Sequence, residues 1–283
     1  MFSSDIADYP EGIILSIDKP YGWTSADVIR KIKFAAKHHF GKKNLKVGHA
    51  GTLDPLATGV LLVCIGNATK KANELQGHDK QYLAGISFGA TTPSYDLEKE
   101  IDRLYPYDGV SAESVSAVLG KFLGEQDQVA PLFSAKSVDG VRAYEIARKM
   151  YQKRLQGEVD PDFDAAAFDS LRTSRIRIDA ISLEGFREAG SEPLPAQDRS
   201  EDSMRRINLT DNSELRLPHA DILVWCSKGT YIRALARDIG EALGTGAHLD
   251  SLRRLRSGDY SVEDSVSLSE ALAMLGNVNG QQQ

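Results

Sequence analysis

"VGHAGTLDPLATGVLLVCIG" (Val47–Gly66) sets one carboxylate, Asp54, between a glycine-bounded turn and the six-residue apolar run Val60–Ile65. A short apolar run after a turn signal predicts a buried strand. No other acid occurs between Val28 and Glu74. An aspartate before proline in a glycine-rich loop is ordinarily a turn or cap residue. A carboxylate drawn toward a core is costly unless a cation and hydrogen bonds meet it, so Asp54 calls for a partner elsewhere in the chain.

Outward from this turn the chain alternates strand and helix signals. Upstream, "EGIILSIDKPYGWTS" (11–25) predicts a strand, a Pro/Gly turn and an N-cap at Thr24 or Ser25. The helix that follows, "ADVIRKIKFAAKHH" (26–39), sets Val28, Ile32 and Ala35 on one face and Arg30, Lys33 and Lys37 on another. Downstream, "KQYLAGISFG" (80–89) turns Tyr82, Ala84, Ile86 and Phe88 to one side, the period of a half-buried strand. Residues 111–124 predict an amphipathic helix capped by Ser111, with Val115, Val118, Leu119, Phe122 and Leu123 inward and Gly124 at its end. "VRAYEIARKMYQKR" (141–154) predicts a second helix, rich in bases.

Two strands, "RIRIDAISLEGF" (175–186) and "ADILVWCS" (220–227), flank the polar stretch 187–214, expected to be an exposed excursion. "YIRALARDIGEAL" (231–243) predicts a last helix, with Ile232, Leu235 and Ile239 inward, stopping at Gly244. There is no internal repeat. Strands dominate and helices are inserted among them, so the expected fold is α+β: a mixed, largely antiparallel central sheet with flanking helices.

The chain of 283 residues carries a net charge of −6 and a pI near 5.6. With 41% hydrophobic and 26% charged residues it has the profile of a soluble protein that buries a core. Its charge is unevenly spread. Residues 28–53 hold seven bases (Arg30, Lys31, Lys33, Lys37, Lys42, Lys43 and Lys46), three histidines (His38, His39 and His49) and no acid. The balancing acids gather in Glu158–Asp169 and in residues 184–202. A basic face on an acidic protein suits phosphates, and it equally suits a solvated helix face balanced by acids in space. Lys33, Lys37, Lys42 and Lys43 are the expected contacts to an RNA backbone.

Several classes are excluded. No apolar run approaches a membrane span, and residues 1–12 lack the build of a signal peptide, so a cytoplasmic protein without membrane contact is expected. Cys64 and Cys226 sit in apolar runs and read as buried free thiols. There is no phosphate-binding Gly-x4-Gly-Lys loop, no Gly-x-Gly-x-x-Gly after a strand, no His-Glu-x-x-His, no cysteine pair at zinc spacing and no Gly-x-Ser-x-Gly elbow. Neither a metal nor a cofactor is expected. What remains is one acid in a shaped loop, a basic face, and aromatics such as Tyr82 and Tyr231 beside bases. That is the minimal kit for holding an RNA with a base splayed out. The cation for Asp54 is expected in "CSKGTYIRAL" (226–235), where a strand ends, Gly229 turns the chain and a helix begins. Arg233 there has the planar, permanently charged fork that suits a carboxylate.

"GHAGTLDPLATGVL" closely resembles the catalytic motif of the TruB-type tRNA pseudouridine synthases, the family that modifies uridine 55 in the T arm of tRNA. "IDKPYGWTS" resembles the family's amino-terminal motif, and "DKQYLAGISFG" its tyrosine-bearing strand. "PLFSAKSVDGVRAYEIAR" resembles the central segment, and "CSKGTYIRALARDIGEALGTGAHLDSLRRLRSG" the carboxy-terminal catalytic one. The five lie in the family's order.

The resemblance implies roles. Asp54 matches the essential aspartate, which attacks or deprotonates the target nucleotide while its glycosidic bond breaks. Tyr82 matches the tyrosine that stacks on the flipped uracil and assists proton removal from C5. Arg233 matches the arginine that pairs with the aspartate. His49 matches the histidine that fills the space of the flipped bases, and Lys19 a positional lysine. Tyr231 and Leu252 match residues lining the uracil pocket. The implied protein is a monomeric isomerase acting on the T-arm stem-loop of tRNA, with residues 1–270 as one catalytic domain. The tail, 271–283, is too short for the PUA-type RNA-binding domain that many members carry. Two other readings stand beside this one: a tRNA-folding chaperone with incidental catalysis, and a hydrolase or phosphotransferase with Asp54 as nucleophile.

Overall fold

The computed structural model describes residues 1–131, 137–138, 141–142, 173–192 and 209–276. In chain order its main strands are β1 (Ile13–Lys19), β2 (Val47–Ala50), β3 (Ala57–Ile65), β4 (Lys80–Phe88), β5 (Gly124–Val129), β6 (Thr173–Arg187), β7 (His219–Cys226), β8 (Ala247–Ser257), β9 (Tyr260–Ser261) and β10 (Val266–Ser267). The helices are α1 (Ser25–His39), α2 (Ala72–Gly77), α3 (Ala112–Leu119), α4 (Ile232–Ala242) and α5 (Leu268–Met274). The described residues fall into two compact units, one of residues 1–83, 209 and 251–276, the other of 84–131, 173–192 and 210–250.

In the first unit the strand order is β10-β1-β3-β8, with β2 also on β3 and β9 on β8. β1 runs antiparallel to β3 from Ile13↔Ile65 to Lys19↔Gly59, while β8 runs parallel to β3 with Leu252 beside Ala57. The apolar run Val60–Ile65 is completely buried, because covered strands need apolar side chains on both faces. α1 starts as its sequence predicts. Thr24 accepts from the Asp27 backbone and Asp27 returns the bond, a reciprocal cap. Val28, Ile32 and Ala35 are buried, and Arg30 and Lys33 are exposed.

In the second unit the order is β8-β4-β7-β6-β5. Tyr82, Ala84, Ile86 and Phe88 are buried along β4, and Ile232, Leu235 and Ile239 along α4, as their periods predict. Gly244, at φ +72°, stops α4. Antiparallel pairs β1–β3, β5–β6 and β6–β7 outnumber the parallel ones, so the sheet is mixed and the α+β expectation holds. Cys64 and Cys226 are buried, and neither forms a disulfide.

Three expectations need correction. The helix expected over 111–124 is α3 plus a 3-10 turn at Gly120–Phe122. Leu123 is exposed rather than inward, because Gly124, at φ +88°, swings the chain straight into β5. The helix expected from 141 opens instead with a strand pair, Val141–Arg142 against Ser137–Val138, and its remainder lies outside the described residues. β2, β5 and β8 carry no clean alternation of their own and were not expected as strands. The acidic cluster 158–169, most of the 187–214 excursion and the tail from 277 also lie outside the described residues.

A buried charge cluster joins β4, β7 and β8 within the second unit. His219 sets Nδ1 2.7 Å from Asp250 Oδ2 and Nε2 3.1 Å from Asp221 Oδ1. The Ser87 hydroxyl donates to Asp250 at 2.6 Å. Burial alone would depress the imidazole, but the two carboxylates overcome it and raise His219 to about 9. Only the imidazolium carries the two N–H donors this arrangement uses. Its folded pKa lies above the ordinary 6.5, so its stabilisation is complete below that value and disappears as pH rises through about 9. Thermal unfolding should therefore show stability falling between pH 6.5 and 9, by an amount on the order of 3 kcal/mol. His219→Gln should flatten that slope. An identical slope in the variant would remove His219 from the account.

Candidate active site

Asp54 sits half-buried in the loop joining β2 to β3, and the first unit fixes that loop from three directions. The Ala57 amide donates to the Asp54 carbonyl at 3.1 Å and closes the turn that the Asp-Pro pair predicts. On one side, Ser25 at the start of α1 takes a bond from the Leu53 amide (2.9 Å) and donates to the Leu53 carbonyl (3.0 Å). On the other, the Gly22 amide donates to the Pro55 carbonyl at 2.9 Å. Lys19, wholly buried at the end of β1, completes the clamp: its Nζ donates to the carbonyls of Pro20 (2.9 Å), Trp23 (2.5 Å) and Pro55 (3.3 Å).

Three carbonyl acceptors match the three N–H donors of an ammonium, where a neutral amine would supply two. Burial nonetheless pulls Lys19 down to about 7, opposed first by the negative charge of Asp54 and reinforced by the positive charge of Arg254. The lysine thus works on position and charge together, ordering the turn that presents Asp54 and placing a cation behind it. Lys19→Met would leave three carbonyls without their donor. It should cost about 2–4 kcal/mol in denaturant unfolding and lower turnover, because the turn loses its anchor. A variant of unchanged stability would show that the clamp lies elsewhere.

Arg254 reaches the same loop from the opposite strand. Its parallel register sets it against Gly59, whose φ is +95° and where a Cβ would stand 2.2 Å from the Arg254 carbonyl oxygen. Glycine is required there by both strain and contact. This close approach lets the Arg254 guanidinium, 1% exposed, thread beneath β3. Nε donates to the Val60 carbonyl at 2.6 Å and Nη2 to the Gly51 carbonyl at 3.1 Å. Burial and then Arg254 hold His49 below the usual imidazole range, so the ring is neutral at physiological pH. Beside it on β8, Arg253 grips Asp18 with both Nη atoms (2.7 and 3.2 Å), and the same Nη1 reaches Thr58 Oγ1 at 3.2 Å.

The second unit builds a buried ion pair at the start of α4. Tyr231 caps the helix, held by Gln128, which accepts from the Tyr231 amide at 2.8 Å and donates to its carbonyl at 3.2 Å. Two residues on, Arg233 is buried with Nη1 3.2 Å from Asp96 Oδ2 and 3.3 Å from the Ser94 carbonyl. Asp96 is wholly buried. It is presented by a tight turn in which Tyr95 takes φ +57°, costly for a non-glycine residue and characteristic of sites fixed by their surroundings. Within that turn the Thr92 hydroxyl donates to the Asp96 carbonyl (2.7 Å), and the Glu98 amide donates to Asp96 Oδ1 (2.9 Å).

The first unit therefore brings together Lys19, His49 and Asp54, with Leu252 buried on β8 beside Ala57 and Tyr82 buried on β4. The second holds Arg233 and Tyr231. Lys33, Lys42 and Lys43 are exposed and Lys37 half-exposed on and after α1. The central motif from 132 to 148 lies outside the described residues, apart from its short strand pair. Two residues were not foreseen. Asp96 in "TTPSYDLE" gave one signal, an acid closing a Thr/Pro/Ser turn directly after a strand; Arg254 gave none beyond its place in "LRRLRSG". Among the described residues no group of His, Cys, Asp and Glu could hold a metal ion, and no helix is long and apolar enough to cross a membrane.

Comparison with known proteins sets this geometry in a family. Residues 37–161 match the model for the TruB family pseudouridylate synthase amino-terminal domain, and 233–281 that for the tRNA pseudouridylate synthase B carboxy-terminal domain. The chain is 45% identical over 261 residues to tRNA pseudouridine synthase B of Phocaeicola vulgatus, spanning 92% of each chain. It is 40% identical to that of Flavobacterium johnsoniae, spanning 93% of this chain and 95% of the relative. Among solved structures it is similar in fold to a chain in a Cbf5-Nop10-Gar1 complex (TM-score 0.57, 24% identity), covering 96% of this chain and 58% of that one. A chain of an H/ACA RNP bound to a substrate RNA containing 2'-deoxyuridine gives a TM-score of 0.54 at 23% identity, with 96% and 57% covered.

Proposed function

The chain belongs to the TruB family of pseudouridylate synthases, and we propose that it isomerises uridine 55 in the T arm of tRNA with Asp54 as the reacting carboxylate. The observation that carries this reading is Asp54 itself, alone among bases from 28 to 73 and held in a clamped turn with a buried lysine behind it. A protein that only folds tRNA has no use for a carboxylate fixed at such cost.

The target base is flipped from its stack, at an energy recovered through stacking and phosphate contacts. The N1–C1′ bond breaks, the base turns over, C5 bonds to C1′, and the C5 proton leaves while N1, freed of C1′, takes one up. Attack at C1′, attack at C6 and removal of the 2′ hydrogen all require Asp54 ionised. Tyr82 supplies the ring against the flipped uracil, Leu252 and Tyr231 the pocket walls, and His49 the filling of the vacated stack. Arg233 serves the carboxylate, with Asp96 holding the guanidinium in place. Lys33, Lys37, Lys42 and Lys43 hold phosphates. We read residues 1–270 as one catalytic domain, since β4 and β8 each contribute residues to both units. The protein works as a cytoplasmic monomer without metal or cofactor.

The test is turnover of a T-arm stem-loop and a full tRNA transcript, each labelled with tritium at C5 of the target uridine. Tritium should pass to water as pseudouridine forms, and tRNA from cells lacking this protein should carry uridine at position 55. Absence of both changes would overturn the reading. Binding should weaken as salt rises, with a slope set by the phosphates contacted; an affinity indifferent to salt would remove the lysines from the interface.

A further inference from the structure

Phe34 exposes 72% of its surface in the middle of α1. No other aromatic among the described residues exceeds 36%. The core does not need this ring, because the inward face of α1 is already filled by Val28, Ile32, Ala35 and Ala36. Its neighbours at helical spacing are Arg30 and Lys31 one turn back and Lys37 and His38 one turn on, with exposed Lys33 beside it in sequence. Asp27 in the first turn is engaged by Arg30 at 2.7 Å, and no further acid follows before Asp54. An exposed ring among cations with no interleaved carboxylate is a stacking platform with backbone contacts on either side, the recurring way proteins hold unpaired nucleotides.

The helix is also in the right place. Ser25 ties its first residue to Leu53, next to Asp54, by two hydrogen bonds. Phe34 follows nine residues later, about 14 Å along the axis from that tie. Substrate RNA engaged at Asp54 therefore has only a few nucleotides to span before it meets the ring. A single ring offers a protein partner little apolar area, whereas every base presents a π face.

We propose that Phe34 is a base-stacking contact: an unpaired base of the substrate RNA lies on its ring while Lys33 and Lys37 hold the flanking phosphates. This rests on the RNA-modifying reading above and adds to it a contact that touches no reacting atom. The test compares wild type, Phe34→Ala, Phe34→Trp and the double variant Lys33→Ala/Lys37→Ala, measuring the Kd of a tRNA transcript across a salt series and the single-turnover rate at saturating enzyme. Phe34→Ala should weaken binding by about 5-fold or more with an unchanged salt slope. Phe34→Trp should restore it, and the lysine pair should flatten the slope by about 1.5. Single-turnover rates at saturating enzyme should be unaltered in Phe34→Ala and Phe34→Trp, and thermal unfolding of Phe34→Ala should match wild type. An unchanged Kd in Phe34→Ala, or equal weakening by alanine and tryptophan, would overturn the proposal. Wild-type turnover in the same assay separates the two readings: if wild type forms no pseudouridine, the functional reading has failed rather than this contact.

Discussion

Asp54→Asn should bind tRNA as wild type does and form no measurable pseudouridine, with single-turnover rates reduced about 10^4-fold or more. The substitution is chosen because it divides the two meanings of this residue. Asparagine is as good a turn residue before proline as aspartate, and it can still engage neighbouring amides through its side-chain oxygen. If Asp54 only shapes the loop, the variant keeps its activity. If the carboxylate reacts with the nucleotide, shape is retained and turnover is lost. The loop itself should survive, because its anchors are the Ser25–Leu53 bonds, the Gly22–Pro55 bond and the Lys19 ammonium, none of which uses the Asp54 carboxylate. One secondary effect is expected. Asp54 supports the charge of Lys19, so its neutralisation lets burial and Arg254 push the lysine below about 7. The variant should be somewhat less stable, and a Lys19 resonance followed through pH should titrate earlier than in wild type.

The parts of this molecule that could be read from sequence are those whose signal is local. α1 declared itself through a cap at Thr24 and an inward face three and four residues apart. β4 did so through strict alternation, and α4 through Ile232, Leu235 and Ile239. Asp54 stood out because a single charge before a buried run is costly, and that cost is a local fact. β8 was hidden because "AHLDSLRRLRS" mixes charges into a strand, and its charges make sense only against β3. Arg254 is buried because Gly59, nearly two hundred residues earlier, leaves room for its backbone. Asp96 was hidden for the same reason: its partner lies 137 residues downstream (233 − 96) and no periodicity links the two. The sequence points to Arg233 as the cation for Asp54, and within its own unit Arg233 also pairs with Asp96.

Arg233→Met should destabilise the protein by about 3–5 kcal/mol, because it strands Asp96 in the interior with its cation gone. Methionine fills much the same volume, so the loss measures charge rather than a cavity. Asp96 still accepts the Glu98 amide, but a neutral amide donor does not replace a guanidinium. Removing both partners should reverse most of the damage, since replacing a buried pair by apolar groups is often neutral where breaking it is not. In Arg233→Met/Asp96→Leu, unfolding free energy should therefore recover by more than about 2 kcal/mol over the single variant. Pseudouridine formation should not recover. That divergence carries the argument: stability asks only that the charges cancel, whereas catalysis asks for a guanidinium held at one place. A double variant as unstable as the single one would show that the pair is not coupled. One that regained activity would show that Arg233 serves the fold alone.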